Sequence, residues 1–325
     1  MPFFDLALND LRSYAPDVAE PGDFDQFWDA TLTEQPELSV QQVRLDSPLT
    51  LVDTYDLTFT GFGGAPIKAW LIAPAGASGP LPTVVRFHGY SGGRGMPVDT
   101  VFAQAGYAYF ILDTRGQSWW SRSLFDLTPD PDAAAGDNGR PGFMTRGLNA
   151  PADYFYRRLF TDCVRFASVA AAHELTDPDR VFLVGGSQGG AMTLATAALA
   201  DRVGVQVAGA MVDVPFLCHF ERAVGLASEG PYPEIEEWLR VHPHRAERAF
   251  ATLAYFDGVA FARRITCPTL WSVGIMDTIC PPSTVFAAYN ACGGDKAIIE
   301  WPYSGHEGGD EVQLWRQLEW LAARG

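Results

Sequence analysis

The spacing of apolar positions changes twice along the chain. Over the first 37 residues Phe24, Phe27 and Trp28 fall at helical spacing, which predicts a peripheral helical arm (1–37) anchored by those rings. From about 39 to 73 the pattern shifts toward alternation, in Leu51-Val52-Asp53-Thr54-Tyr55-Asp56-Leu57-Thr58-Phe59 and, after a glycine-rich turn, in Ile67-Lys68-Ala69-Trp70-Leu71-Ile72. Alternation marks a strand with one wet face, so both segments are expected as antiparallel edge strands.

Beyond residue 80 short continuous apolar runs alternate with helical stretches. Residues 83–87, 107–112, 181–184, 207–212, 268–273 and 297–301 read as strands. Residues 98–105, 154–172, an Ala/Leu-rich run to about 200, 283–290 and 311–323 read as helices. Strands apolar on both faces and separated by helices indicate an α/β class with a mostly parallel, doubly wound sheet. Two segments interrupt this rhythm. Residues 118–150 are irregular and rich in Pro, Gly and Asp, too long for an ordinary connection, and 215–256 are charged, aromatic and helical. Both are expected as insertions over the carboxyl-end rim of the sheet. With no repeat or linker visible, residues 1–325 are expected to form one domain.

Composition narrows the partners. A net charge of −16 and a pI near 4.7 argue against nucleic acid or an anionic membrane. No run of 18 apolar residues is present, hence no membrane span is expected. The amino terminus has neither a basic region nor a long apolar region, so no signal peptide is expected. The five cysteines are irregularly spaced, with no Cys-x-x-Cys pair or Cys/His cluster. They are expected as buried free thiols in a reducing, cytoplasmic setting, without a metal site.

The chemistry is carried by Val181-Phe182-Leu183-Val184-Gly185-Gly186-Ser187-Gln188-Gly189-Gly190. A bare Gly-x-Ser-x-Gly arises easily by chance in a glycine-rich chain. Here a buried strand precedes it and a helix follows, the context of a nucleophile elbow in an α/β hydrolase. Serine is a weak nucleophile and needs a base that a third group orients. In such folds these follow in the order Ser, Asp or Glu, His. Asp277 lies just past the strand at 268–273, and His306 just past the strand at 297–301. Each stands at a strand's carboxyl end, on the rim expected for Ser187. The other five histidines sit in helical or inserted segments, except His88 in the turn after 83–87. An oxyanion needs two N–H donors. Gln188 supplies one; the other is expected from His88-Gly89-Tyr90, with Tyr90 preferred and Gly89 its competitor.

Arg115-Gly116-Gln117, Gly185-Gly186-Ser187-Gln188-Gly189-Gly190 and His306-Glu307 together resemble the acetyl xylan esterase / cephalosporin C deacetylase family of carbohydrate esterases. The resemblance continues through Pro141–Gly147, Tyr154–Arg158, Asp213–Phe220 and Met276–Thr284, so it covers almost the whole chain. It implies a cytoplasmic α/β hydrolase that removes acetyl groups from acetylated xylo-oligosaccharides and from cephalosporin C. It also implies a Ser187–Asp277–His306 triad, an oxyanion hole of the Tyr90 and Gln188 amides, and a hexamer with active sites facing a central cavity. Arg115 and Gln117 are expected to be structural, the arginine fork pinning neighbouring loops.

The expected reaction is two-step acyl transfer through Ser187, needing no metal or organic cofactor. A dienelactone-type hydrolase or a peptidase on the same fold is the first alternative, although no large screening domain is visible. A non-catalytic binding protein is the second, although all three triad positions are filled. Tyr90, Pro215, Phe216 and Ile279 are expected to wall a small acyl pocket. Trp119, Trp120, Phe216 and Phe220 are expected as exposed aromatic surface that oligomerisation would cover. The expected substrate is a small acetylated sugar or cephalosporin.

Overall fold

The computed structural model describes residues 4–130 and 141–324; the middle of the 118–150 insertion therefore lies outside the described residues. Among the described residues nine strands form one sheet: β1 (Val40–Arg44), β2 (Val52–Thr60), β3 (Pro66–Pro74), β4 (Leu81–Phe87), β5 (Ala108–Leu112), β6 (Thr176–Gly186), β7 (Gly209–Asp213), β8 (Thr269–Gly274) and β9 (Lys296–Trp301). Their order across the sheet is β1-β2-β3-β5-β4-β6-β7-β8-β9. The first three strands and the β3–β5 pair are antiparallel, and every pairing from β5 through β4 to β9 is parallel.

Side chains alternate between the two faces of the sheet, and each face has its own core. Val85, Phe87, Phe110, Leu183 and Val212 point into the larger core, beneath the helices Phe155–Ala171 and Gln188–Leu199. Their neighbours Val84, Ile111, Phe182, Val184 and Met211 point into the smaller one, covered by the short helix Val101–Gln104 and the closing helix Asp310–Ala322. This double burial is why the central strands read as unbroken apolar runs.

The chain runs from β4 outward to β5, then returns across β4 to β6. That reversal opens a crevice beyond the strands' carboxyl ends, where ligands gather in open α/β sheets. The turns after β4, β5 and β6, carrying Tyr90, Gln117 and Ser187, meet there.

The arm forms two helices, Leu8–Arg12 and Phe24–Thr33. Phe24 and Trp28 are fully buried, and Trp28 Nε1 donates to the Tyr255 carbonyl at 3.1 Å. The 215–256 segment folds as the helices Phe220–Leu226, Tyr232–Val241 and Ala246–Leu253. Three local expectations change. Helix 98–105 shrinks to Val101–Gln104, because Pro97 precedes it and Gly106, at φ +95°, ends it. The strand β1 is exposed at every position, so it carried no alternation signal. Phe216 and Phe220 are buried inside the chain at 0% and 3% exposure, rather than forming exposed surface.

Candidate active site

The elbow is set by close packing. Ser187 has φ +58° and ψ −122°, a region that non-glycine residues enter only when the surroundings hold them there. Its N–H donates to the Asp213 carbonyl at 2.9 Å, and its own carbonyl accepts from Phe216 N–H at 2.9 Å. Both flanking glycines are sterically required. A Cβ on Gly185 would stand 2.3 Å from the Gly189 carbonyl oxygen, and one on Gly189 would stand 2.3 Å from that of Phe87. The second contact seats the elbow helix against the end of β4, where the Tyr90 turn begins. Gly89 in that turn passes so near that a Cβ there would lie 3.7 Å from Ser187 Cβ.

Asp277 is fully buried. One carboxylate oxygen accepts the N–H groups of Ile279 and Cys280 at 2.8 and 2.9 Å; the other lies 2.8 Å from His306 Nδ1. A carboxylate can only accept, so Nδ1 carries a proton and donates it. Ser187 and His306 border one cavity of about 770 Å³. His88, the other histidine near the site, is pushed down to about 3 by burial and by Arg86, and is neutral at physiological pH. Cys280 lies beneath the site; burial, Asp277 and Cys218 drive its thiol well up, against an opposing hydrogen bond with Ser187. Asp277, Cys280 and His306 offer ligand atoms within 4.8 Å of one another, but Asp277 already satisfies His306 and two backbone donors.

A second layer fixes the turns. Gln188 is fully buried; its side-chain oxygen accepts from Gln117 Nε2 and from the Tyr156 hydroxyl, both at 2.9 Å. Gln117 Oε1 in turn accepts from Ser91 N–H at 2.7 Å and Gln188 Nε2 at 3.2 Å. The Tyr90 hydroxyl donates to Glu234 at 2.7 Å and accepts the N–H groups of Gly142 and Phe143. Tyr90 is thus pinned at both ends, and burial together with Glu234 pushes its phenol up. Arg115 pairs with buried Asp162 through Nε and Nη2 at 2.6 and 2.9 Å, pinning the loop after β5 to the helix Phe155–Ala171.

Of the expected pocket residues, Tyr90 and Ile279 border the cavity. Pro215 and Phe216 are not among its lining residues. The Pro215 Cα would lie 2.9 Å from a Cβ on Gly190, and the Phe216 ring packs on Tyr232 with centroids 4.1 Å apart. Val214, Gly230, Pro231 and Glu234 take those places. Both insertions reach the site, through Trp119, Trp120 and Pro141 and through Gly230, Pro231 and Glu234. Sequence reasoning missed Glu234 and Asp213. Asp213, held by Gln313 and Gln317 at 2.9 and 2.5 Å, is pushed up to about 6 chiefly by burial.

A mostly parallel sheet, a strained serine between strand and helix, and an aspartate–histidine pair on the same rim define the α/β-hydrolase class. The chain is similar to the acetyl xylan esterase from Paenibacillus sp. R4, with 37% identity and a TM-score of 0.89 over 98% of this chain and all of that one. It is also similar to acetyl xylan esterase 1 from Thermoanaerobacterium sp. JW/SL YS485, with 34% identity and a TM-score of 0.86 over 99% of this chain and all of that one. Acetyl esterase Axe7A of Xylanibacter ruminicola is 28% identical over 322 residues, 94% of this chain and 68% of that protein. Residues 1–324 match the acetyl xylan esterase family (AXE1), and the chain belongs to it. It is a carboxylic ester hydrolase. Among the described residues no helix is long and apolar enough to cross a membrane.

Proposed function

We propose that the protein removes acetyl groups from acetylated xylo-oligosaccharides by a Ser187–His306–Asp277 acyl-enzyme mechanism. The observation that carries this reading is the 2.8 Å bond between His306 Nδ1 and buried Asp277, beside a cavity that His306 shares with the strained Ser187. His306 Nε2 takes the Ser187 proton as Oγ attacks the acetyl carbonyl. The backbone N–H groups of Tyr90 and Gln188 stabilise the oxyanion. The C–O bond to the sugar breaks as His306 returns the proton to the leaving alkoxide. Water, deprotonated by the same histidine, then cleaves the acetyl-serine to acetate and free enzyme. Asp277 holds the ring with Nε2 free and stabilises the transient imidazolium.

Cephalosporin C, whose acetoxymethyl group is also a compact acetyl ester, is the second substrate. Self-association into a hexamer fits the two insertions at the cavity mouth, although Phe216 and Phe220 no longer argue for it. The five cysteines are unpaired, in keeping with a reducing, cytoplasmic setting. Acetate release from acetylated xylo-oligosaccharides, cephalosporin C and p-nitrophenyl esters of rising chain length tests the reading. Acetyl esters react fastest, with a steep fall by butyryl, if Tyr90 and Ile279, the two expected walls that border the cavity, crowd the acyl chain at ~1–3 kcal/mol per methylene. Equal rates on acetate and octanoate contradict it.

A further inference from the structure

Trp119 and Trp120 are neighbours in sequence and border the same cavity as Ser187, yet the fold uses them differently. The Trp119 ring is spent on packing: it stacks on Phe143, with centroids 5.7 Å apart and planes at 11°, and meets Tyr90 edge-on at 5.5 Å. Trp120 is 77% exposed, while its backbone N–H is tied to the Ser91 carbonyl at 3.3 Å. An indole is thus held beside the Tyr90 turn with most of its apolar surface in water, on the wall of a concave site.

Apolar Val214, Pro231, Ile279 and Leu314 share that wall with several acidic side chains. Exposed Glu307, Asp310 and Glu311 line the same cavity, together with half-buried Ser91 and Glu234. The cavity, about 770 Å³, is in the range of sites that enclose a whole small ligand, ~300–1,000 Å³, and far exceeds what an acetyl group fills. A pyranose presents C–H groups on its flat faces and hydroxyls around its edge. An open aromatic face and carboxylate acceptors lining one cavity match both.

We propose that Trp120 is the stacking platform for a pyranose ring adjoining the one whose acetyl group reaches Ser187. It makes the site selective for acetylated oligosaccharides over simple acetyl esters. The inference rests on the reading of Ser187 as the nucleophile. It assigns Trp120 to binding and leaves the chemical step to the residues already described.

Steady-state kinetics of wild type, Trp120→Ala and Trp120→Phe on an acetylated xylotriose and on ethyl acetate, which has no ring to stack, test it. Trp120→Ala raises KM for the trisaccharide about tenfold with kcat nearly unchanged, and leaves ethyl acetate hydrolysis within twofold. Trp120→Phe recovers most of the loss. Unacetylated xylotriose protects the wild-type indole fluorescence from acrylamide quenching, and this protection is lost in Trp120→Ala. An unchanged trisaccharide KM, or equal losses on both substrates, overturns the platform while leaving the esterase reading standing. A wild type inert toward both esters overturns the esterase reading and the platform with it.

Discussion

The side-chain amides of Gln117 and Gln188 are joined by two reciprocal hydrogen bonds, 2.9 and 3.2 Å long, in a fully buried setting. One residue follows β5; the other opens the elbow helix. Because Gln117 also accepts the Ser91 N–H, it ties the turn that bears Tyr90 to the residue that follows Ser187. Gln117 therefore braces the two proposed oxyanion donors against each other, alongside the β4–β6 pairing that leads into both turns.

Replacing that glutamine should loosen the donors without touching the substrate. Gln117→Leu is expected to lower kcat about 10- to 100-fold, below the 10²–10³ cost of deleting a donor outright. KM should stay within about twofold. Steady-state kinetics on p-nitrophenyl acetate, with a melting curve to confirm folding, check this; an unchanged kcat contradicts the brace.

Gly189 has no room for a methyl group, since the Phe87 carbonyl oxygen would lie 2.3 Å from its Cβ. Backbone cannot yield as a flexible side chain can. Gly189→Ala should destabilise the protein by ~1–3 kcal/mol, the usual cost of overpacking. It should also cut turnover, because the displaced partner leads directly into the Tyr90 turn. Urea denaturation and kcat measure the two effects; wild-type behaviour in both argues against the packing described.

Asp25 anchors the amino-terminal arm. Both its carboxylate oxygens accept from Arg264 at 2.8 Å, and Arg202 bonds it as well. The Arg264 hydrogen bonds, opposed by partial burial and aided by Arg202, hold its carboxyl down from 3.8 to about 2. A depressed carboxyl contributes stability that is present above the unfolded value, near 4, and is lost as pH falls through about 2. Asp25→Asn should therefore be less stable than wild type at pH 6, by up to ~1 kcal/mol for so exposed a group. The gap should close by pH 2. Urea midpoints of the two proteins between pH 6 and 2 test the sign.

The parts legible in the sequence were those set by local pattern. Strands β6 and β8 are buried on both faces, so their apolar runs stood out. Ser187 and Asp277 each follow such a run, and His306 follows the partly buried β9, which places all three on one rim. The pocket wall was not legible in this way. Between Asp213 and Phe220 the chain adopts positive φ at Val214, Leu217 and His219, so no period tells which side chains turn inward. Phe216 turned into the core, and Pro215 packed on the elbow helix. Glu234 reaches Tyr90 across 144 residues of sequence, and Asp213 meets Gln313 across 100; neither contact leaves a local trace.

The most direct test of the central claim is the turnover of Ser187→Ala, His306→Ala and the double variant on an acetylated xylo-oligosaccharide. Residues that act as one unit lose about 10⁴–10⁶ in kcat when either is removed, and little more when both are. That pattern is the expected result, together with fluorophosphonate labelling of wild type that Ser187→Ala abolishes. A Ser187→Ala enzyme that keeps more than about a tenth of wild-type turnover would contradict it.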